Sequence, residues 1–366
     1  MNIKMTKVLD HVLDAGTYTS LNFEAVKSFM KNRSNGIGGC SAIAKVLDSG
    51  ETIVGRNMDL NISNKSAYVI RTKINGNYET VGLSYYYDIF PDYEDVLENG
   101  MPEELYNLLP FVSTDVLNEK GLYIETNMRT GECWPNGDSK FGCPGTNESA
   151  TEVIRSSILP RILCEHCSTV NEAVEYAKKL NICIGDNNST AWNFCFLMAD
   201  ATGNYGVLEI AANKLFWHEK AQAQTNFYLA KELNQIELYK AGLGRYDYLM
   251  NNIDKVHNEN DMYELMKSVS YFQIYNPENC KFDLRSEFVG TEGHWTSDWL
   301  LDDNNKDELF KYINKTGQKI RTMTRKEKQD QNKYWESAFT EVVNCNKKTL
   351  FVRFFEDDKH TLTLNF

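Results

Sequence analysis

One stretch near the N-terminus decides the fold, and it reads Gly38-Gly39-Cys40-Ser41, the apolar run Ala42–Leu47, the turn Asp48-Ser49-Gly50, and Thr52-Ile53-Val54-Gly55-Arg56-Asn57-Met58-Asp59. Two alternating, β-branched runs flank a turn that contains glycine, and this pattern predicts a β-hairpin that begins at Cys40. Two antiparallel strands of this length bring the start of one beside the end of the other. Arg56 and Asp59 should therefore return to the neighbourhood of Cys40, whose thiol could act as an activated nucleophile.

These residues resemble a known family. A cysteine that opens a strand, followed after one hairpin by Arg56-Asn57-Met58-Asp59, is similar to the choloylglycine hydrolases, the N-terminal-nucleophile cysteine amidases that include bile salt hydrolases and penicillin V acylases. Related groups are the isopenicillin N acyltransferase-like and acid ceramidase-like amidases. In these families the cysteine becomes the first residue of the mature chain, and its own α-amine serves as the base. The alternative interpretation of Cys40 is a buried core thiol, because free cysteine is usually buried and inert.

Three positions further along the chain match the same family. The segment Asn118–Asn127 predicts a turn that leads into a strand, and the resemblance implies that Asn127 helps to form the oxyanion hole. Asn226 ends a run of predicted hairpins, and the resemblance gives it the same role. Arg245, at the start of a predicted helix, is implied to support the cysteine through hydrogen bonds. Without the resemblance, the asparagines would be turn or capping residues and the arginine a solvated surface residue.

The resemblance also implies a mechanism. Cys40 attacks the amide carbonyl, Asp59 holds the α-amine, and Arg56 lowers the pKa of the thiol and contacts the substrate. The products are a carboxylate and a free amine, and no metal or organic cofactor is required. The implied function is hydrolysis of a linear amide in an N-acyl amino acid, a conjugated bile salt or a penicillin-type side chain. Two alternatives stay open, which are an acyltransferase that uses the same thioester and a non-catalytic ligand-binding homologue that is never processed.

Residues 1–39 are predicted to form a leader that is removed between Gly39 and Cys40. The leader has an amphipathic pattern over residues 8–13, a turn at Ala15-Gly16, helical spacing over residues 23–30 and a glycine-rich end. Glycine before the cysteine permits the strained backbone that attack of the thiol on the preceding carbonyl would need. The alternatives are cleavage by another protease, or an ordinary N-terminal extension that is retained.

Composition excludes several classes of function. The net charge of -12 and the lack of a basic cluster argue against nucleic-acid binding. No apolar run is long enough to span a bilayer and the N-terminus lacks a signal-peptide core, so we expect a cytoplasmic protein without a membrane partner. Nine scattered cysteines indicate reduced thiols. The pair Cys164 and Cys167 lacks the second ligand pair of a zinc site. A homo-oligomer is compatible with the sequence.

The expected fold class is α+β, a four-layer αββα sandwich formed by residues 40–366 as a single domain. Two sets of predicted hairpins alternate with two helical blocks. The hairpin sets are residues 40–127 and residues 192–228 with 336–366, and the helical blocks are residues 149–181 and 244–270. Specificity is expected in the loops at residues 58–66, 85–105 and 128–148.

Overall fold

A computed structural model gives the architecture of the chain. It describes residues 4–7, 12–17, 39–61, 68–73, 76–84, 99, 113–128, 146–147, 149–150, 153–183, 194–211, 214–231, 242–276, 281–289, 294–296, 335–354 and 361–366.

Two large sheets form the centre of the described structure. The first sheet has the strand order β1 (Lys4–Lys7), β2 (Val12–Thr17), β5 (Tyr68–Lys73), β6 (Thr80–Ser84), β7 (Asp115–Asn118), β8 (Tyr123–Met128), β11 (Phe194–Ala199), β12 (Tyr205–Ala211) and β13 (Lys214–Glu219). Its strand pairs are antiparallel except for β2 and β5, which run parallel. A separate parallel pair joins β9 (Val153–Arg155) to β10 (Asn181–Cys183).

The second sheet contains the predicted hairpin. Its strand order is β14 (Ala223–Gln224), β3 (Gly39–Val46), β4 (Thr52–Asn61), β18 (Trp335–Asn344), β15 (Tyr271–Asn276), β16 (Lys281–Val289) and β17 (His294–Thr296). Strand β19 (Thr349–Phe354) also pairs with β18, and β20 (Thr361–Asn365) pairs with β19. All of these pairs are antiparallel. The hairpin that carries Cys40 lies inside the sheet, because β14 pairs with β3 on one side and β18 pairs with β4 on the other.

Four α-helices of the described residues cover the outer faces of the two sheets. Helices α1 (Leu159–His166) and α2 (Val170–Ala177) form one outer layer, and α1 packs on β6, β7 and β8 of the first sheet. Helices α3 (Leu243–Asn252) and α4 (Glu259–Ser268) form the other, where α4 packs on β4 and β18 and α3 packs on β3 and β14. The α2 and α4 N-termini are capped by Thr169 and Asn258, whose side chains accept backbone N–H bonds. The two sheets with helices packed on their outer faces confirm the predicted four-layer αββα sandwich.

Among the described residues, an apolar core lies on each face of the second sheet. The core between the sheets includes Cys40, Ala42 and Ala44 of β3, whereas Ile43 belongs to the core between the second sheet and helices α3 and α4. Successive side chains of a strand point to opposite faces of its sheet, so the alternation of β3 directs the Cys40 side chain between the two sheets. Burial of each large apolar side chain in these cores contributes about 1.5–3 kcal/mol.

The predicted grouping of the strands was wrong. The hairpin of β3 and β4 joins the C-terminal strands in the second sheet, while residues 68–128 and 194–219 together make most of the first sheet. Alternation of side chains reveals that a segment is a strand, but it does not reveal which strand lies beside it. The pairing is set by contacts between distant segments, such as Val342 with Gly55.

Two local predictions also need correction. Ala15 and Gly16 lie inside strand β2 rather than in a turn, and residues 12–13, part of the amphipathic pattern, are extended. Residues 153–155 form a strand ahead of α1 instead of belonging to a helix. In both places the segment gains a backbone ladder, β2 with β5 and β9 with β10, and this pairing overrides the local helical pattern. The predicted helical segment at residues 23–30 lies outside the described residues.

The C-terminal strands β18, β19 and β20 coincide with the hairpins predicted at residues 336–366. The strands β15 and β16 were missed, although β15 is rich in aromatic residues and Phe282 and Leu284 of β16 alternate with polar residues. None of the helices in the described part of the chain combines the length and apolar character needed to cross a membrane.

Candidate active site around Cys40

The register of the hairpin sets which side chains share a face with Cys40. Cys40 is opposite Met58, Ala42 is opposite Arg56, and Gly39 is opposite Asp59. Directly opposed residues of an antiparallel pair point to the same side of the sheet. The side chains of Cys40, Met58 and Arg56 therefore face the first sheet, whereas that of Asp59 faces helix α3. The hairpin brings Arg56 and Asp59 back beside Cys40, as predicted, and their side chains point to opposite faces of the second sheet.

Two buried side chains hold the backbone of Cys40. Its N–H donates to Oδ1 of Asn226 over 2.9 Å, and its carbonyl oxygen accepts from Nη1 of Arg245 over 2.5 Å. Nη2 of Arg245 also donates to Oδ1 of Asn226 over 3.0 Å. Because Oδ1 of Asn226 accepts from two donors, the orientation of this amide is fixed and its NH2 group points the other way.

Asp59 is connected to the same arrangement through Arg245. Oδ2 of Asp59 lies 3.4 Å from Nη1 of Arg245, and Oδ1 accepts a 2.6 Å hydrogen bond from the Ser337 hydroxyl. Nη1 of Arg245 also donates to the Ser41 hydroxyl over 2.7 Å. A buried ion pair is stable only if its remaining polar atoms are hydrogen-bonded, and the two serines supply such bonds. Arg245 is thus buried and central, not a surface residue.

Arg56 reaches the Cys40 thiol through a methionine. The thiol lies 3.7 Å from Sδ of Met58, and Nη2 of Arg56 lies 3.5 Å from the same sulfur. Nη2 also donates to the Thr126 carbonyl oxygen over 2.8 Å. Burial lowers the pKa of Arg56, but the charges of Asp115, Cys40 and Glu125 outweigh burial and raise it above its usual value. Arg56 is thus a permanent cation beside the thiol, and such a cation stabilises a thiolate.

Asn127 lies on the facing strand β8 with its donors engaged. Its Nδ2 donates to Oε1 of Glu125 over 2.9 Å and to the Gln224 carbonyl oxygen over 3.4 Å. Its Oδ1 is buried and has no hydrogen-bond partner among the described residues. In this arrangement the amide offers an acceptor and not a donor. Its part in the oxyanion hole stays a prediction.

Arg56 is the centre of a buried charge cluster, whose members are Arg56, Asp115, Tyr123, Glu125 and Glu341. Nε of Arg56 lies 3.3 Å from both Asp115 and Glu125, and the Tyr123 hydroxyl donates to Glu341 over 2.7 Å. One cation faces three carboxyl groups. Burial raises the pKa of all three, and it brings the pKa of Glu125 to about 8 against the partial opposition of Arg56.

The raised pKa of Glu125 predicts a pH-dependent stability. Because the folded state binds this proton more tightly than the unfolded state, stability is lost as pH rises from about 4.5 to about 8. Glu125→Gln should remove a share of that loss, on the order of a few kcal/mol. Urea unfolding at pH 5, 6.5 and 8 measures it. The exposed Glu175→Gln variant is the control, and an unchanged pH slope in Glu125→Gln would contradict the prediction.

Gly242 allows Arg245 to reach Cys40. It precedes α3 with a φ of 77°, and an added Cβ would lie 2.8 Å from both Nη2 of Arg245 and Cβ of Thr225. Gly50 has a similar φ of 85° with nothing within 4 Å of an added Cβ. Gly50→Ala should therefore cost only the left-handed backbone strain of about 1–2 kcal/mol. Gly242→Ala should cost about 1–3 kcal/mol more than this strain, because the added methyl group overpacks the site. Equal losses in urea unfolding would show that the site tolerates the methyl group.

Several residues of this site were missed by the sequence analysis. Ser41 and Met58 belong to the quoted stretch but were given no role, and the alternation of the hairpin could have placed Met58 beside the thiol. Glu125 is two residues before Asn127 and so shares its face of β8, a signal that period-two alternation provides. Asp115 and Ser337 come from strands whose pairing the sequence did not reveal.

These layers and contacts define a class of protein. The chain has two stacked antiparallel sheets between helical layers, with a candidate nucleophilic cysteine at the start of a strand of the second sheet. This is the arrangement that the sequence resemblance implied for the N-terminal-nucleophile cysteine amidases, and the fold expectation is confirmed.

Comparisons with known proteins agree with this class. Residues 113–282, less than half of the chain, match the model of the family acyl-coenzyme A:6-aminopenicillanic acid acyl-transferase, which confirms the predicted similarity to this group. The matched segment contains Asn127, Asn226 and Arg245 and does not extend to Cys40. No curated protein sequence matches the chain significantly.

Solved structures show distant likeness. A mutant conjugated bile acid hydrolase from Clostridium perfringens is 14% identical, with 89% of this chain and 92% of that chain covered and a TM-score of 0.46. Penicillin V acylase from Agrobacterium tumefaciens is 12% identical, with 89% and 86% covered and a TM-score of 0.43. An N-acylethanolamine-hydrolyzing acid amidase ortholog from Caenorhabditis elegans is 12% identical, with 89% and 99% covered and a TM-score of 0.38. Since these scores lie below 0.5, the fold assignment rests on the layers described above.

Proposed function

We propose that the chain is a cysteine amidase that hydrolyses a linear amide bond of an N-acyl compound after residues 1–39 have been cut from Cys40. One observation carries the proposal. The backbone N–H and carbonyl of Cys40 are each held by a buried side chain, Asn226 and Arg245, and these two side chains are hydrogen-bonded to each other. A cysteine that only fills the core requires no such grip on its backbone, and burial of two polar side chains for this purpose is costly.

The activating step breaks the peptide bond between Gly39 and Cys40. The Cys40 thiol adds to the Gly39 carbonyl carbon, the carbon–nitrogen bond breaks, and the nitrogen takes the proton. Water then hydrolyses the resulting thioester, which leaves the Gly39 carboxylate, the free thiol and a new α-amine. The bond between the Cys40 nitrogen and Asn226 Oδ1 already holds the atom that becomes this amine.

Turnover uses the same groups on an external amide. The α-amine takes the thiol proton, the thiolate attacks the amide carbon, and the amine donates the proton to the leaving nitrogen. Water then releases the acyl group as a carboxylate. The Asn226 NH2 group is the proposed oxyanion donor, since its oxygen is committed to Cys40 and Arg245. Asp59, opposite Gly39 in the hairpin and paired with Arg245, is proposed to hold the new amine.

A substrate panel tests the function. The purified protein is incubated with penicillin V, a glycine-conjugated bile salt and a series of N-acyl amino acids, and the released amine is quantified beside the Cys40→Ala variant. Release that depends on Cys40 supports the proposal. A chain that begins at Cys40 yet releases no amine from any of these classes would overturn it. The loops at 85–105 and 128–148, where specificity is expected, lie largely outside the described residues.

An acyltransferase is the second candidate, because the matched family model is that of an acyl-transferase. In this case an amine acceptor, rather than water, takes the acyl group from the Cys40 thioester. Single-turnover reactions with competing amines separate the two functions, since a transferase forms the new amide in preference to the free acid.

Cleavage should leave the leader bound to the rest of the chain. Strand β2 of the leader runs parallel to β5, with Val12 opposite Val69 and Leu13 opposite Ile70, and β1 extends this edge of the sheet. We expect the two pieces to elute together in native size exclusion and to separate in acid or urea. A processed protein that has lost the leader under native conditions would contradict this prediction.

A further inference from the structure

We propose that Glu125 is a positioning residue of this site, whose carboxylate ties Arg56 in the second sheet to Asn127 in the first. The proposal rests on the proposed amidase function and adds a residue to which neither the sequence motifs nor that function gave a role. The tie crosses the core between the sheets, where the Cys40 side chain also lies.

The two oxygens of Glu125 serve different partners. Oε2 lies 3.3 Å from Nε of Arg56, and Oε1 accepts from Nδ2 of Asn127 over 2.9 Å. Oε1 also accepts from the backbone N–H of Leu197 over 2.9 Å, on the neighbouring strand β11. A bond to the backbone of an adjacent strand holds the carboxylate in place. Glu125, Arg56 and Asn127 are all fully buried, so water cannot replace these bonds.

This arrangement sets the orientation of both partners. A flipped Asn127 amide would turn its oxygen toward the Glu125 carboxylate, where both atoms are acceptors, so the observed orientation is favoured. It leaves Oδ1 of Asn127 as a buried acceptor to which no group in the described part of the chain donates. On the other side, the ion pair between Oε2 and Nε of Arg56 adds to the hydrogen bond that Nε donates to Asp115. Nη2 of the guanidinium so held lies 3.5 Å from the Met58 sulfur, which itself lies beside the Cys40 thiol.

Other charged groups face Glu125, and one of them offers a matched control. Asp115 shares Nε of Arg56 and accepts the backbone N–H of Thr126, so it also restrains the guanidinium. Glu341 belongs to the same buried charge cluster, but its described hydrogen bond is to the Tyr123 hydroxyl. Glu341→Gln therefore removes the same ionisable group from the same interior without touching the tie between Glu125 and Asn127.

A double-mutant cycle tests the proposal. The variants are Glu125→Gln, Asn127→Ala and their combination, with Glu341→Gln alone and with Asn127→Ala as the control cycle. The readout is kcat and KM for amine release from the best substrate of the panel. We expect Glu125→Gln to lower kcat about tenfold with little change in KM. The combined variant should be faster than the product of the two single effects predicts, because part of the Glu125 effect acts through Asn127 and only the rest acts through Arg56. In the control cycle the effects should multiply.

Two outcomes overturn the proposal while the amidase function stands. One is that the Glu125→Gln and Asn127→Ala effects multiply, and the other is that the control cycle shows the same coupling. Wild-type protein that releases no amine overturns the proposed function instead. Urea unfolding of every variant detects those that fail to fold. If Glu125→Gln fails to fold, Glu125→Asp replaces it in the cycle, because the shorter side chain keeps the carboxyl group but cannot span the same distance to both partners.

Discussion

Replacement of Cys40 by alanine is expected to lower amide hydrolysis by at least about a thousandfold, because loss of a covalent nucleophile removes the whole thioester route. The fold should survive, since alanine fits the space of a buried cysteine whose backbone bonds to Asn226 and Arg245 do not depend on the thiol. Steady-state release of amine measures the effect.

The control for this variant is Cys345→Ala. Cys345 is also a buried cysteine, and burial raises its thiol pKa well above the usual value, so it is not expected to react. This variant should keep near wild-type turnover. If Cys40→Ala retained more than about a tenth of the activity, Cys40 would not be the nucleophile, whatever its surroundings.

The Asn226→Asp variant should lower kcat by about 10²–10³-fold, the usual effect of losing one oxyanion donor. Aspartate keeps an oxygen that can accept from the Cys40 nitrogen and from Arg245, so the grip on the cysteine backbone remains. What it lacks is the NH2 group on the other side of the side chain. The variant thus separates donation to the substrate from support of the nucleophile.

Asn226→Ala is the matched comparison, because it removes both functions of the side chain. It should be at least as slow as the aspartate variant and less stable in urea, since it leaves the Cys40 N–H without its acceptor. Wild-type kcat in Asn226→Asp would contradict the proposed oxyanion role, and the donor would then have to be another group.

Much of the site was predictable from the sequence because its central pieces are local. The hairpin from Cys40 to Asp59 brings its own ends together, and alternation along it fixes the face of each side chain. Arg245 and Asn226 came from motif resemblance, and the structure places both on Cys40. Alternation of apolar and polar side chains is also a local property, and it identified most of the strands.

The remaining features depend on contacts between distant segments. Ser337 reaches Asp59 only because β18 lies beside β4, and no local pattern encodes that neighbour. The pairing of β2 with β5 likewise turned a segment with a helical pattern into a strand. Asn127 shows what a resemblance leaves out. The motif singled out this residue, but it did not reveal that the Asn127 amide donates to the buried Glu125 side chain.

The intact mass of the purified protein tests the central claim most directly, because hydrolysis by this mechanism requires a chain that begins at Cys40. It is measured under denaturing conditions beside Cys40→Ala. We predict that the wild type yields a chain that begins at Cys40 and a separate piece that ends at Gly39, while the variant stays whole. A wild-type mass that spans Met1 to Phe366, in a preparation without amidase activity, would contradict the account and leave a binding protein with a buried cysteine.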